Sequence, residues 1–71
     1  MSLDEETIHR VWESGHVVPG YDPKEWRQDD CKAWMERGKH GNNNSDFGWE
    51  IDHIKPESEG GTDSISNLRP L

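Results

Sequence analysis

The sequence predicts a small α+β domain, a short N-terminal helix followed by a β-hairpin region, and three observations predict it. Ile8, Val11 and Trp12 fall at helical spacing. Phe47, Trp49, Ile51 and His53 alternate with Gly48, Glu50, Asp52 and Ile54, the period of a half-buried strand. Pro, Gly and Asn clusters punctuate the chain between them. The helix is expected over residues 4–14, opened by Ser2 with Glu5 three positions on, a capping-box pattern, and closed by Gly15. Val17 to Pro23 reads as a turn after a short extended piece. Asp22-Pro23, with Glu25 just beyond, begins another helical turn that would carry Trp26 back toward Trp12. Ala33, Trp34 and Met35 suit either a short helix or a strand. Gly38 and Gly41 to Ser45 form a loop, and Lys55-Pro56 ends the strand. A polar loop then runs to Asp63, and Ile65 with Leu68 marks a short closing piece. Residues 1–30 are thus expected to pack as helix and connection on residues 31–71, the hairpin region, in a single domain.

Composition limits what can hold this fold together. Leu, Ile, Val and Phe make up only 11 of 71 residues, and the formal net charge is -7. An aliphatic share below about 20% with high charge is the mark of a disordered chain. A chain shorter than about 70–80 residues ordinarily needs a disulfide, a metal or a partner, and one Cys cannot form an internal disulfide. The four Trp offer another source of core, since each aromatic buries roughly 150–250 Å². The lone Cys points to a reducing compartment, and the acidic start has the wrong sign for a signal peptide. No apolar run approaches the roughly 20 residues of a membrane span. The expectation is a cytoplasmic chain with no membrane partner.

Charge is also uneven. Residues 1–30 hold eight acids and three bases, and residues 31–71 hold seven and five, among them Lys32, Arg37, Lys39, Lys55 and Arg69. The C-terminal half is therefore the less repulsive toward a polyanion. Affinity for nucleic acid scales with the phosphates neutralised, so a chain without a basic run gives no tight, sequence-independent binding.

The chemistry-bearing run is Trp49-Glu50-Ile51-Asp52-His53-Ile54-Lys55-Pro56, then Gly60-Gly61-Thr62-Asp63, then Asn67-Leu68-Arg69-Pro70-Leu71. Asp52 offers a hard oxygen ligand, and the imidazole of His53 is the side-chain type most often used as a general base. Neighbours on a regular strand point to opposite faces, so one site can use both only where the strand ends or bulges. The Gly-Gly loop turns the chain back and lets Asn67 reach the same region to hold the loop by hydrogen bonds to backbone groups.

From Gly48 to Leu71 these residues resemble the HNH endonucleases, with their ββα-metal fold: an Asp-His pair, an Ile and Pro after it, a Gly-Gly loop and an Asn-Leu pair at the usual separation. Tyr21 to Trp34 and the Gly-Asn loop more loosely resemble the region before the motif in a bacterial and phage branch of the family. The resemblance implies a metal-dependent hydrolase of DNA phosphodiesters. His53 would be the general base, Asn67 the brace of the loop that carries it, and Asp52 the ligand of one divalent ion (Mg²⁺, Mn²⁺, Ni²⁺ or Zn²⁺). Lys55 and Arg69 would contact phosphate. The family's last motif residue, on a helix past the Asn-Leu pair, has no counterpart before Leu71. The expectation is a shortened domain, weak or inactive by itself. The paired Cys-x-x-Cys zinc knuckles of many relatives are also missing.

Other candidates read as structural. Cys31 is expected to be a small inert core residue, His9, His16 and His40 surface residues, and the four Trp core rather than base-stacking groups. Two functions compete with the nuclease: a non-catalytic nucleic-acid-binding or assembly module that keeps the hairpin, and a structural domain whose Asp-His pair is incidental.

Overall fold

A computed structural model describes residues 4–71. The first element, α1, spans Glu5–Glu13. Its cap is Asp4, whose side chain accepts from the Thr7 amide at 2.8 Å. Ser2, the expected cap, lies outside the described residues. Glu5 and Glu6 in the first turn and Arg10 in the last complement the helix dipole. Val11 and Trp12 are buried, and the Gly15 amide closes the helix on the Trp12 carbonyl.

Pro23 to Glu25 make a single turn, with the Trp26 amide bonded to the Asp22 carbonyl. Strand β1 (Trp26–Gln28) follows and pairs antiparallel with β2 (Trp34–Glu36) in the register Trp26↔Glu36, Arg27↔Met35, Gln28↔Trp34. This settles Trp34 and Met35 of the ambiguous stretch as strand, with Ala33 just before it. Directly opposite residues share a face, so Arg27 and Met35 face inward. Met35 is fully buried, while the Arg27 guanidinium bonds the carbonyls of Pro23, Glu13 and Gly15 and lies 5.9 Å from the Trp12 ring centroid. Trp26 and Trp34 take the other face and pack edge-on, Trp26 also meeting Phe47 and Trp34 meeting Tyr21. Trp26 is therefore not carried to Trp12, because strand parity aims it away and gives that place to Arg27.

Only two of the four Trp enter the core. Trp12 and Trp49 stack at 5.2 Å between centroids and 45° between planes, with Val11, Met35 and Leu68 around them and Ile8 and Ile51 at the margin. Each indole N–H is satisfied, Trp12 by the Pro23 carbonyl at 2.9 Å and Trp49 by the Glu36 carbonyl at 3.0 Å. Cys31 is exposed rather than core: it sits in the β1–β2 turn, where the buried Asp29 carboxylate accepts from the amides of Cys31 and Ala33. His40 is half-buried against Trp49 at 4.8 Å, whereas His9 and His16 are exposed.

Of the expected strand from Phe47 to Ile54, the regular part is β3 (Ile51–His53), with Trp49 in an isolated bridge to His40. The closing piece supplies its partner, β4 (Leu68–Pro70), and α1 lies against β4 and the turn before it.

Gly48 and Gly61 pin the two loops that flank β3. A Cβ would fall 2.1 Å from the Asn42 carbonyl oxygen at Gly48 and 1.8 Å from that of Lys55 at Gly61, whereas at Gly38 nothing lies within 4 Å. Gly48→Ala and Gly61→Ala are expected to lower the urea midpoint strongly, with Gly38→Ala within about 0.5 kcal/mol of wild type. The Asp4 carboxyl is held below its ordinary range by the hydrogen bond from Thr7. A depressed carboxyl stabilises the fold above its unfolded pKa, and that support is lost as pH falls through the folded pKa. Amide exchange at Thr7 should therefore accelerate as pH drops below about 3.8, after correction for intrinsic rates, and Asp4→Asn should remove that acid dependence while keeping the cap.

Candidate functional site

The β3–β4 ladder decides which side chains can meet. Glu50 and Leu71 exchange both backbone hydrogen bonds, and the Ile54 amide bonds the Asn67 carbonyl at 2.8 Å. The register between them is Ile51↔Pro70, Asp52↔Arg69, His53↔Leu68. Pro70 thus falls at a non-hydrogen-bonded position, the place in a ladder where a missing N–H does no harm. The ladder runs through Asp52 and His53 without a break, so their side chains leave opposite faces. His53 shares its face with Leu68 and Ile51, while Asp52 shares the other with Arg69.

On that second face the Arg69 Nε and Nη2 donate to Asp52 Oδ2 at 3.1 and 3.0 Å. Both bonds fall on one oxygen, so Oδ1 lies outside the pair. The two side chains are 42% and 39% exposed, and an ion pair so solvated is worth only about 0.2–1 kcal/mol.

Past His53 the chain enters a loop clasped by Asn67. Its side-chain oxygen accepts from the Lys55 amide at 2.8 Å, and its side-chain nitrogen donates to the carbonyls of Lys55 at 3.1 Å and Thr62 at 2.7 Å. One donor and two acceptors around the amide fix its orientation. The Gly61 amide bonds the Pro56 carbonyl at 2.9 Å, and Gly60 adopts φ 88°, so the return of the loop depends on both glycines. The Lys55 side chain is exposed above this clasp.

The loop brings two carboxylates to His53. Its Nε2 lies 2.8 Å from Asp63 Oδ1 and 3.2 Å from Glu57 Oε1. The His53 side chain is 19% exposed, and the carboxylates stand in solvent. These three ligand atoms lie within 4.8 Å of one another, the one such group among the described residues and of a kind that could hold a metal ion. Asp52 is not part of it: the structure gathers His53 with Glu57 and Asp63, and Asp52 with Arg69. Sequence reasoning missed Glu57 and Asp63, which sit in a loop with no hydrophobic period. The available signal was spacing, since Glu57 follows His53 by four and Pro56 starts a one-turn 3₁₀ helix, Glu57–Glu59, that points it back.

An Asp-His strand end, a loop turned on two glycines and an Asn clasp now stand together. Residues 37–71 match the HNH endonuclease family. No curated protein and no solved structure matches the chain. The HNH match takes in the Gly-Asn loop, β3, the clasped loop and β4, and it begins after α1, β1 and β2. The HNH family hydrolyses nucleic acids and typically binds a divalent metal. No helix among the described residues is long and apolar enough to cross a membrane.

Each clasp bond contributes about 0.5–1.5 kcal/mol. Asn67→Ala is expected to destabilise the chain by about 1–3 kcal/mol and to speed exchange of the Lys55 amide. Asn67→Asp should do no better, since it keeps one acceptor but turns both donors into charges facing carbonyls. Wild-type protection at Lys55 in either variant would show that the loop does not depend on this clasp.

Proposed function

We propose that this chain carries a metal-dependent DNA endonuclease site of the HNH type, with His53 as general base. The observation that supports it best is the placement of His53: at the end of β3, half-buried, in a loop that Asn67 holds through three side-chain hydrogen bonds. A base must be fixed within hydrogen-bond reach of the water it activates, and a clasped loop on a strand end provides that fixity.

His53 would take the proton of a water attacking the phosphodiester, and Asn67 would keep the loop from drifting. Asp52 suits one divalent ion as a hard oxygen ligand, because its carboxylate is half-exposed and Oδ1 lies outside the Arg69 pair. Since it leaves the face of β3 opposite His53, ion and base would approach the phosphate from the two sides of the strand end. Such an ion, when bound, stabilises charge on the phosphate and on the leaving 3′ oxygen. The Asp52–Arg69 pair is weak enough to be exchanged, so Arg69, released from Asp52, would meet the phosphate with Lys55 on the neighbouring loop.

His53→Ala should lower plasmid nicking by about 10²–10⁴ while the near-ultraviolet circular dichroism of the Trp12–Trp49 pair stays unchanged. EDTA should stop wild-type cleavage, and Mn²⁺ or Mg²⁺ should restore it. A folded His53→Ala chain that nicks at the wild-type rate would refute the mechanism. A folded wild type that binds DNA and cuts nothing with any of Mg²⁺, Mn²⁺, Ni²⁺ or Zn²⁺ would support the non-catalytic module.

A further inference from the structure

We propose that Asp63, with Glu57 beside it, is a positioning residue for His53, holding the ring so that Nε2 carries the proton and Nδ1 is the nitrogen that accepts from water. This inference rests on the reading of His53 as the base and specifies which atom does the work. An ionised carboxylate only accepts hydrogen bonds, and a neutral imidazole has one N–H and one lone pair. Two carboxylate oxygens converge on Nε2, at 2.8 and 3.2 Å. A lone pair there would face two negative oxygens, so the proton of the neutral ring belongs on Nε2. The lone pair is then on Nδ1, on the other side of the ring from both carboxylates.

The two contacts also fix the ring in space. Glu57 approaches from the turn after Pro56 and Asp63 from the far side of the Gly60-Gly61 bend, while Leu68 opposes His53 across the ladder. Rotation that swapped the nitrogens would break the hydrogen bond with Asp63 and the close contact with Glu57. The Asn67 clasp holds the strand end and the Thr62 carbonyl to one another, so the His53–Asp63 distance is set by backbone as well as by charge. On this reading water gives its proton to Nδ1 as its oxygen bonds to phosphorus, the P–O3′ bond breaks and the leaving 3′ oxygen takes a proton from solvent water. The imidazolium formed is stabilised by the carboxylates already on Nε2 until it returns its proton to solvent.

The test is ¹⁵N NMR of the ring nitrogens at about pH 8.5, where an ordinary imidazole is neutral, in the wild-type chain and in Asp63→Asn, Glu57→Gln and the double variant, beside steady-state nicking. Wild type should show a proton-bearing Nε2 with a ring proton protected from exchange. Asp63→Asn keeps the size of the side chain, so a merely structural role would survive it. The expected result is loss of that protected proton, a share of molecules with the proton on Nδ1, and a kcat lower by about tenfold to a hundredfold at unchanged KM, part of what a general base supplies. Glu59→Gln, a carboxylate of the same turn without a bond to His53, should behave as wild type. If Asp63→Asn and the double variant keep the wild-type tautomer and kcat while His53→Ala is inactive, the positioning role is refuted and the base reading stands. If His53→Ala cuts normally, both fall. If Zn²⁺ alone moves the Nε2 resonance to a metal-bound value and Asp63→Asn abolishes that shift, the three side chains are a cation site and the positioning role is overturned.

Discussion

The contact between Trp12 and Trp49 is the interaction on which the remaining structure depends. With so few aliphatic residues, the chain buries only five hydrophobic side chains fully among the described residues, and these two indoles are the largest of them. Trp12 comes from α1, and Trp49 stands two residues before β3, so the pair ties the N-terminal helix to the strand that ends in His53. Truncating one such ring to Ala is worth about 3–5 kcal/mol, comparable to the whole stability that a core of this size supplies. The N–H groups of both rings are used on backbone carbonyls of neighbouring segments, so the core sets positions along the chain as well as excluding water.

From that anchor, position passes outward by backbone geometry. Trp49 fixes the approach to β3, and the ladder with β4 fixes parity: Ile51 and His53 on one face, Asp52 on the other. The first face already holds Leu68 of the core, which is why His53 is only 19% exposed although its loop is in solvent. Polar grouping follows from the same parity. Asp52 can reach Arg69 across the ladder but not the carboxylates that gather on His53, and no rotamer choice changes that without a bulge in the strand.

The helix, the hairpin and the general course of the C-terminal loop were legible in the sequence because each rests on a local rule. Helical spacing of Ile8, Val11 and Trp12 marked α1, alternation marked the approach to β3, and the Gly-Gly pair marked the return. What was not legible depended on partners distant in sequence. Trp26 and Trp34 face away from the core because the β1–β2 register puts Met35 inside, and register is a property of the pair. The His53–Glu57–Asp63 grouping was hidden for a similar reason: Glu57 and Asp63 lie in a polar stretch whose conformation is dictated by the Asn67 clasp and by close backbone approach at Gly61. The family resemblance assigns Asp52 and His53 to one site on the condition that the strand ends or bulges there, whereas the β3–β4 ladder runs through both and sends their side chains to opposite faces. Cys31 was assigned inward by residue type, yet the buried Asp29 carboxylate needs the amides of the turn that Cys31 occupies.

Electrostatics sets how a polyanion could approach this surface. All four arginines are engaged: Arg10 with Glu6, Arg37 with Glu5, Arg69 with Asp52, and Arg27 with backbone carbonyls around Trp12. Arg27 is part of the fold, and releasing it would uncover the Trp12 ring. Arg10 and Arg37 are tied to acids of α1. Lys55 on the clasped loop and Arg69 on β4 are the cations of the proposed site, and two phosphate contacts would give a salt dependence with a slope of only about −2 in log K against log salt. A net charge of -7 opposes even that. Diffuse attraction therefore supplies little of the binding on the HNH reading. On the proposed reading, what holds the scissile phosphate would be local and geometric, which is the condition under which a weak surface pair such as Asp52–Arg69 becomes useful: it would keep one carboxylate and one guanidinium side by side until a phosphate and a cation separated them.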